Sequence, residues 1–188
     1  ELEQLQNMGV KYIKVIDDSF LEQERNEQWA KEFCEKIKSR GINVSLRGSL
    51  KADQVEDEKI KYLKEAGFHS FACGIENGSN TALKRMNKSA SLEDNKRALD
   101  ILKKHGIYVQ AGFILFDDNT TFEELKENYE FLREYDWIIT KGIFSEMFAA
   151  DGTLYTEKLK KEDKIKKNDV YDNNKYEIVD PKVKLTYN

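Results

Sequence analysis

Five short stretches of the chain carry residue types that can bind or react. They are Asp17-Asp18-Ser19-Phe20, Arg47-Gly48-Ser49, Gly74-Ile75-Glu76-Asn77-Gly78-Ser79, Asp117-Asp118-Asn119-Thr120 and Ala150-Asp151-Gly152-Thr153. Carboxylates such as Asp17, Asp18 and Glu76 can receive an ammonium group. Arg47 and Lys88 offer the complementary cations, one a planar fork and the other a point charge. Two further chemistries use the same residue types. Glu76 with Glu146 can act as acid and base of a barrel hydrolase, which needs carboxylates roughly 5–9.5 Å apart. Asp17, Asp18, Asp117 and Asp118 can hold Mg²⁺ for phosphotransfer, because hard cations take oxygen ligands. The first lacks an aromatic sugar platform near Glu146, and the second lacks a glycine loop to cradle phosphate. A non-catalytic binding module is a fourth class. For any one stretch, helix capping by Asp, Asn and Ser is the ordinary reading.

The elements that position these stretches recur. Four times an amphipathic helix ends at a glycine and an apolar strand follows: Gln4–Met8, Gly9, then Val10–Ile16; Glu24–Arg40, Gly41, then Ile42–Leu46; Val55–Ala66, Gly67, then Phe68–Ile75; Leu92–His105, Gly106, then Ile107–Phe116. Glycine suits the left-handed conformation that closes a helix. Ser91–Asp94 and Asp53–Glu56 have the spacing of capping boxes, and Thr121–Glu134 reads as a helix burying Phe122, Leu125, Tyr129 and Leu132. Strand–helix alternation with short links predicts parallel strands and right-handed crossovers. On 42–47, Ile42, Val44 and Leu46 share one face, and Asn43, Ser45 and Arg47 the other. On 68–76, Phe71, Cys73 and Ile75 oppose Ser70, Ala72, Gly74 and Glu76. One apolar face and one small or polar face suit a barrel with a wet interior, and the five polar stretches then sit where strands end and βα loops begin.

Composition bounds the rest. The 188 residues are 39% hydrophobic and 35% charged, with ten Phe, nine Tyr and two Trp to build a core. A net charge of −4 lacks the basic excess of a strong nucleic-acid binder. No apolar run approaches the ~18 residues of a membrane span. Cys34 and Cys73 make no metal spacing; both read as buried structural thiols of a reduced, cytoplasmic protein. The missing initiator Met suggests an excised piece of a longer chain.

At its loops the sequence resembles radical S-adenosylmethionine (SAM) enzymes, in the group that often carries a cobalamin-binding domain ahead of the barrel. The matching segments are "GVKYIKVIDDSF" (9–20), "INVSLRGSL" (42–50), "GIENGSNTALKRMNKS" (74–89), "NKRALDILKKHGIYVQAGFILFDDNTTFEEL" (95–125), "DGTLY" (151–155) and "KYEIVDPKV" (175–183). The resemblance implies an α/β fold, a parallel partial (β/α)₆ TIM-like barrel over 1–155 followed by a C-terminal helix and extension over 156–188. It implies SAM and a [4Fe–4S] cluster as cofactors, cobalamin as an option in the parent protein, and a 5′-deoxyadenosyl radical acting on an unidentified small molecule. The family's Cys-x₃-Cys-x₂-Cys loop is absent and is expected just before Glu1. The chain is thus expected to be a barrel fragment truncated before or within its first helix, without radical activity of its own.

The same resemblance assigns cofactor-binding positions. Asp17, Asp18 and Ser19 match the site that meets the SAM amino group. Ser45 and Arg47 match positions that in some members contact SAM or substrate, and Arg47 without such a ligand would need Asp18 or Glu76 as its partner. Glu76 matches a Glu or Gln near the ribose or amino-acid end of SAM, and Lys88 matches a position, usually Arg, that binds the SAM carboxylate. Ile114 matches the strand lying against adenine, and Gly112 replaces a ribose-binding Asp of some relatives. Asp118 and Asp151 stand where prolines are common. Truncation would leave a strand edge near Val10–Ile16, open to self-association or covered by 176–187.

Overall fold

A computed structural model describes residues 1–22, 24–166 and 174–187. In chain order the elements are α1 (Leu2–Asn7), β1 (Tyr12–Lys14), α2 (Glu27–Ser39), β2 (Ser45–Lys51), α3 (Asp57–Glu65), β3 (Phe68–Glu76), α4 (Asn80–Arg85), α5 (Leu92–Lys104), β4 (Tyr108–Phe113), α6 (Phe122–Glu134), β5 (Ile139–Lys141), α7 (Leu154–Lys161), β6 (Ile165–Lys166), β7 (Lys175–Tyr176) and α8 (Pro181–Tyr187). Two compact units share them. The first takes in Glu1–Ile75, Ser89–Gly112 and Tyr135–Lys141; the second takes in Glu76–Lys88, Phe113–Glu134 and the chain from Gly142 on.

The first unit is built on the sheet β1-β2-β3-β4-β5, with β1–β2, β2–β3 and β4–β5 parallel. Sequential strands joined through helices give the topology of a partial TIM-like barrel. The junction glycines do what their positions predict. Gly9, Gly41, Gly67 and Gly106 all have positive φ. At three of them the helix closes in a Schellman motif: Gly9, Gly41 and Gly106 donate to the carbonyls of Gln6, Lys38 and Lys103, and the next residue reaches one carbonyl further back. Gly67 has a second constraint, since a Cβ there would stand 2.6 Å from the Val44 carbonyl oxygen.

The alternation along the strands is the expected one. Leu46, Gly48 and Leu50 are buried while Ser45, Arg47 and Ser49 are half-buried; Phe71, Cys73 and Ile75 are buried while Ser70, Ala72, Gly74 and Glu76 are half-buried. The buried faces meet an aromatic cluster of Phe20, Trp29, Phe33, Phe68 and Phe71. Cys34 and Cys73 are both buried and free.

Three local expectations are corrected. Strand pairing is shorter or shifted: β1 covers only Tyr12–Lys14, and β2 begins at Ser45 and runs to Lys51. Asp53–Glu56 is not a capping box. Asp53 lies in a 3₁₀ turn over Ala52–Gln54 and accepts from Ser89 Oγ at 2.7 Å, and Glu56 makes no side-chain cap. The buried face of α6 consists of Glu124, Asn128 and Phe131, whereas Phe122 and Tyr129 are exposed. The helix is rotated because its two buried polar side chains have specific partners, described below. Ser91–Asp94 is a complete capping box.

In the second unit Phe113 stacks on Phe131 at 6.3 Å. Phe116, Ile178 and Val183 form one apolar cluster, and Ala149, Tyr155, Leu159 and Tyr176 another. The segment 176–187 thus contributes to the core of this unit. β6 and β7 pair antiparallel.

Candidate functional site

In the first unit the loop after β1 divides its three candidate residues between support and exposure. Arg25 donates to Asp17 Oδ2 at 2.7 Å and to the Phe20 carbonyl at 2.9 Å, and its guanidinium lies over the rings of Phe20 and Trp29. Ser19 is buried and donates to Gln54 Oε1 at 2.5 Å. Asp17 and Ser19 therefore shape the loop, and the exposed Asp18 is the carboxylate presented to solvent. Arg47 and Ser45 lie on the polar face of β2 as expected. The partner of Arg47 is neither Asp18 nor Glu76. Its Nη2 donates to Gln110 Oε1 of β4, reaching over β3, whose residues on this face include Ser70, Ala72 and Gly74.

In the second unit the segment Glu76–Lys88 is one constructed loop–helix–loop. Glu76 has φ +62° and Asn87 φ +56°, left-handed conformations that cost a non-glycine residue about 1–2 kcal/mol. Asn87 closes α4 in a Schellman motif, with its N–H on the Lys84 carbonyl and the Lys88 N–H on that of Leu83. That turn sends the Lys88 ammonium back to Glu76, where Nζ and Oε1 stand 2.8 Å apart. Glu76 and Lys88, assigned separately from the sequence, are thus brought together. Asn77 donates to the Ile114 carbonyl at 2.9 Å and accepts from the Ser79 N–H at 2.9 Å. The Ile114 N–H donates to the Glu76 carbonyl at 2.7 Å. Ile114 is half-buried, and its carbonyl retains a second lone pair.

A group that the sequence did not reveal holds this segment. Arg85 donates through Nε to Asp117, with Oδ2 at 2.8 Å, and through Nη1 and Nη2 to the two Glu124 oxygens at 2.8 and 2.9 Å. The Asp117 and Glu124 side chains are only 1% and 5% exposed. Burial disfavours the guanidinium cation, but its hydrogen bonds to Glu124 and Asp117 outweigh that and hold the pKa above its ordinary value. Glu124 also accepts from the Thr121 N–H at 2.9 Å, and Thr121 Oγ1 from the Glu124 N–H at 3.2 Å. The Thr121-x-x-Glu124 spacing is a legible capping box; nothing local in "LKRMN" marks Arg85 as its partner.

These contacts dispose of one alternative chemistry. Asp117 is consumed by Arg85. Asp118, fully buried, is consumed by Lys164 at 2.6 Å and by Tyr155. Neither is open to Mg²⁺. Among the described residues no group of three or more His, Cys, Asp or Glu has metal-holding geometry. Cys34 on α2 and Cys73 on β3 are two buried thiols on separate elements, too few to hold a [4Fe–4S] cluster. Glu76 and Lys88 do fit an amino-acid tail: their ion pair offers an anion and a cation that a zwitterion can take over one for one.

Parallel strands joined in sequence through helices, with polar loops at the strand ends, define a TIM-like barrel protein. The profile of the radical SAM superfamily matches residues 1–132, and the chain belongs to that superfamily. It is 32% identical over 161 residues to the anaerobic magnesium-protoporphyrin IX monomethyl ester cyclase of Rubrivivax gelatinosus, covering 81% of this chain and 27% of that protein. It is 30% identical over 141 residues to the 4′-phospho-dehydrooxetanocin synthase of Priestia megaterium, covering 66% and 19%. The chain therefore spans about a quarter or less of these relatives. Among solved structures it superposes on the cobalamin-dependent SAM radical enzyme OxsB with aqua-cobalamin and SAM bound, at a TM-score of 0.82 and 22% identity, covering 95% of this chain and 33% of that one. It also superposes on the radical SAM methyltransferase TsrM from Kitasatospora setae, with cobalamin and a [4Fe–4S] cluster bound, at 0.64 and 16%, covering 74% and 28%. These likenesses bear out the partial-barrel fold.

Proposed function

We propose that this chain is the SAM-binding part of a radical SAM enzyme that acts on a small molecule. The observation that carries the reading is the Lys88–Glu76 ion pair at 2.8 Å, placed by two left-handed residues at the end of β3. In the bound state the SAM ammonium takes Glu76, its carboxylate takes Lys88, and the Ile114 segment lies against adenine. SAM bound at a reduced [4Fe–4S] cluster supplies the radical chemistry. The cluster's thiolates come from outside these 188 residues, so the chain alone is inactive and anaerobic iron–sulfur reconstitution gives no stoichiometric cluster absorbance. A full cluster on this chain would refute that assignment.

The named relatives include a cyclase and a synthase, and two similar structures hold cobalamin. We place cobalamin use in the whole protein on that ground, and the substrate class among small molecules. Free buried thiols suit a cytoplasmic setting, and among the described residues no helix is long and apolar enough to cross a membrane. β1 is an edge of the sheet, with Tyr12 and Ile16 76% and 85% exposed; we propose that this edge pairs with another strand, in a second copy or in the parent chain.

Calorimetric titration with SAM tests the site. Each charge-assisted contact is worth ~1.5–3 kcal/mol, or roughly 10- to 150-fold in affinity, so Lys88→Met should weaken SAM by that order with the fold intact. Equal affinities in the two proteins would end the case for Lys88 and for Glu76 with it.

A further inference from the structure

The fold uses only half of the apolar stripe on α6. Phe122, Leu125, Tyr129 and Leu132 recur at intervals of three, four and three, the a/d spacing of a helix that packs against another helix. Glu124 and Asn128 turn the helix instead toward Arg85 and Gly78. Phe122 and Tyr129 are left 40% and 61% exposed, and Leu125 and Leu132 half-buried. Within the same compact unit, Leu115, Ile143 and Phe144 complete a groove of about 460 Å³ against Leu125, Tyr129 and Leu132. Phe144 in its wall is 77% exposed. Two cations border the stripe. Lys126 Nζ lies 5.2 Å from the centre of the Phe122 ring, and the Arg133 guanidinium 5.6 Å from that of Tyr129. Each also has a carboxylate one turn back, Glu123 and Glu130, in exposed pairs of the kind that contribute little. At about 3.6 residues per turn, Glu123, Glu127, Glu130 and Glu134 fall on the opposite side of α6 from Leu125 and Leu132.

Exposed apolar side chains gathered beside a groove mark an interaction surface, and a helix seated in an apolar groove is a recurring way to fill one. The charges at the border choose the occupant. We infer that the groove between α6 and the 143–144 segment is the docking site for an amphipathic helix of a partner protein, one with carboxylates along the flank of its apolar stripe. Its apolar side chains cover Tyr129, Leu132 and Phe144, and its carboxylates meet Lys126 and Arg133. The same border argues against a second copy of this chain. Two α6 helices packed antiparallel about a two-fold axis would set the Lys126 and Arg133 flank against its own copy, and like charges brought together across an interface cost affinity. The inference does not rest on the proposed SAM site.

The test uses the 188-residue chain and two fluorescent synthetic helices of about three heptads. Both carry the same leucine stripe; one has glutamate and the other lysine at the flanking positions. Fluorescence anisotropy should show saturable binding of the glutamate helix, with the lysine helix at least roughly tenfold weaker. Tyr129→Ser, at an exposed position, should weaken the glutamate helix by roughly tenfold or more. Lys126→Glu combined with Arg133→Glu should reverse the preference between the two helices. If that double variant fails to fold, the preference of the wild type and its loss of affinity in Tyr129→Ser still decide the matter. No saturable binding of the glutamate helix overturns the inference. Equal affinity for the two helices also overturns it, by reducing the contact to apolar adhesion. Sedimentation showing a dimer that Tyr129→Ser dissociates would give the groove to a second copy. Binding to the 188-residue chain that is lost in the parent protein would give it to a segment of the same polypeptide. Either result would overturn the partner helix.

Discussion

The backbone N–H of Gly78 donates to Asn128 Oδ1 at 2.7 Å, across 50 residues of sequence. Asn128 in turn donates to the Glu124 carbonyl at 2.7 Å. A Cβ on residue 78 would stand 2.6 Å from Phe131 Cβ and 2.9 Å from its Cγ. The "ENGS" loop can therefore lie on α6 only with glycine at this position, and the placement of Glu76 and Lys88 depends on that close approach.

Gly78→Ala should therefore destabilise the chain. Overpacking of this kind costs ~1–3 kcal/mol. Guanidinium denaturation should show a lower midpoint with an unchanged slope; an unchanged midpoint would mean that the loop can lift off α6 freely.

Glu76 is held at φ +62°, where glycine is unstrained and alanine is not. Glu76→Gly and Glu76→Ala both lose the Lys88 ion pair, so their difference isolates backbone strain. The glycine variant should be the more stable by roughly 1 kcal/mol, the reverse of the usual order. Paired denaturation curves in the usual order would show that the residue relaxes out of this conformation.

Arg85 balances two buried carboxylates. Arg85→Met leaves Asp117 and Glu124 without their cation and should cost ~3–5 kcal/mol. Arg85→Lys keeps the charge but cannot form the four-contact fork, and should fall between. Thermal unfolding of the three proteins gives the order directly, and a neutral Arg85→Met would show that the clamp contributes nothing.

The Asp94 carboxyl lies below its usual pKa because the Ser91 backbone and hydroxyl donate to it. A depressed carboxyl stabilises the fold above the unfolded value of about 3.9, and this contribution is lost as pH falls through the lower folded value. Asp94→Asn keeps an acceptor for the cap but removes the titration. Its stability should vary less with pH on the acid side than that of the wild type; parallel curves from pH 7 to 3 would contradict the assignment.

Much of the architecture was legible because it is local. Gly9, Gly41 and Gly106 each mark a helix end by a backbone requirement that only neighbouring residues set, and Gly67 adds to it the approach of the Val44 carbonyl. The period of two along β2 and β3 exposed the polar face and put Arg47, Glu76 and Cys73 on the correct sides. What escaped was decided by partners far away in sequence. Apolar spacing on α6 favoured Phe122 and Tyr129, yet Glu124 and Asn128 face inward because Arg85 and Gly78 meet them there. Asp53 was drawn out of its expected cap by Ser89. Gln110 carried no signal as the partner of Arg47, since it lies 63 residues away. In the turn after Met86 the Lys is the conspicuous residue, but the turn is made by Asn87, and a like turn at Asp163 (φ +52°) precedes Lys164, which reaches Asp118.

The Arg85 clamp has a consequence for how this part of the molecule opens. Asp117 accepts the Asn119 N–H at 2.8 Å and Glu124 accepts the Thr121 N–H at 2.9 Å, so two backbone protons rest on carboxylates that a single guanidinium holds in place. Their exchange with deuterated solvent should be slow and should proceed at one common rate, set by release of Arg85 rather than by fraying of either turn. Replacing that one side chain would then free both protons at once, in a loop whose amino acids are otherwise unchanged.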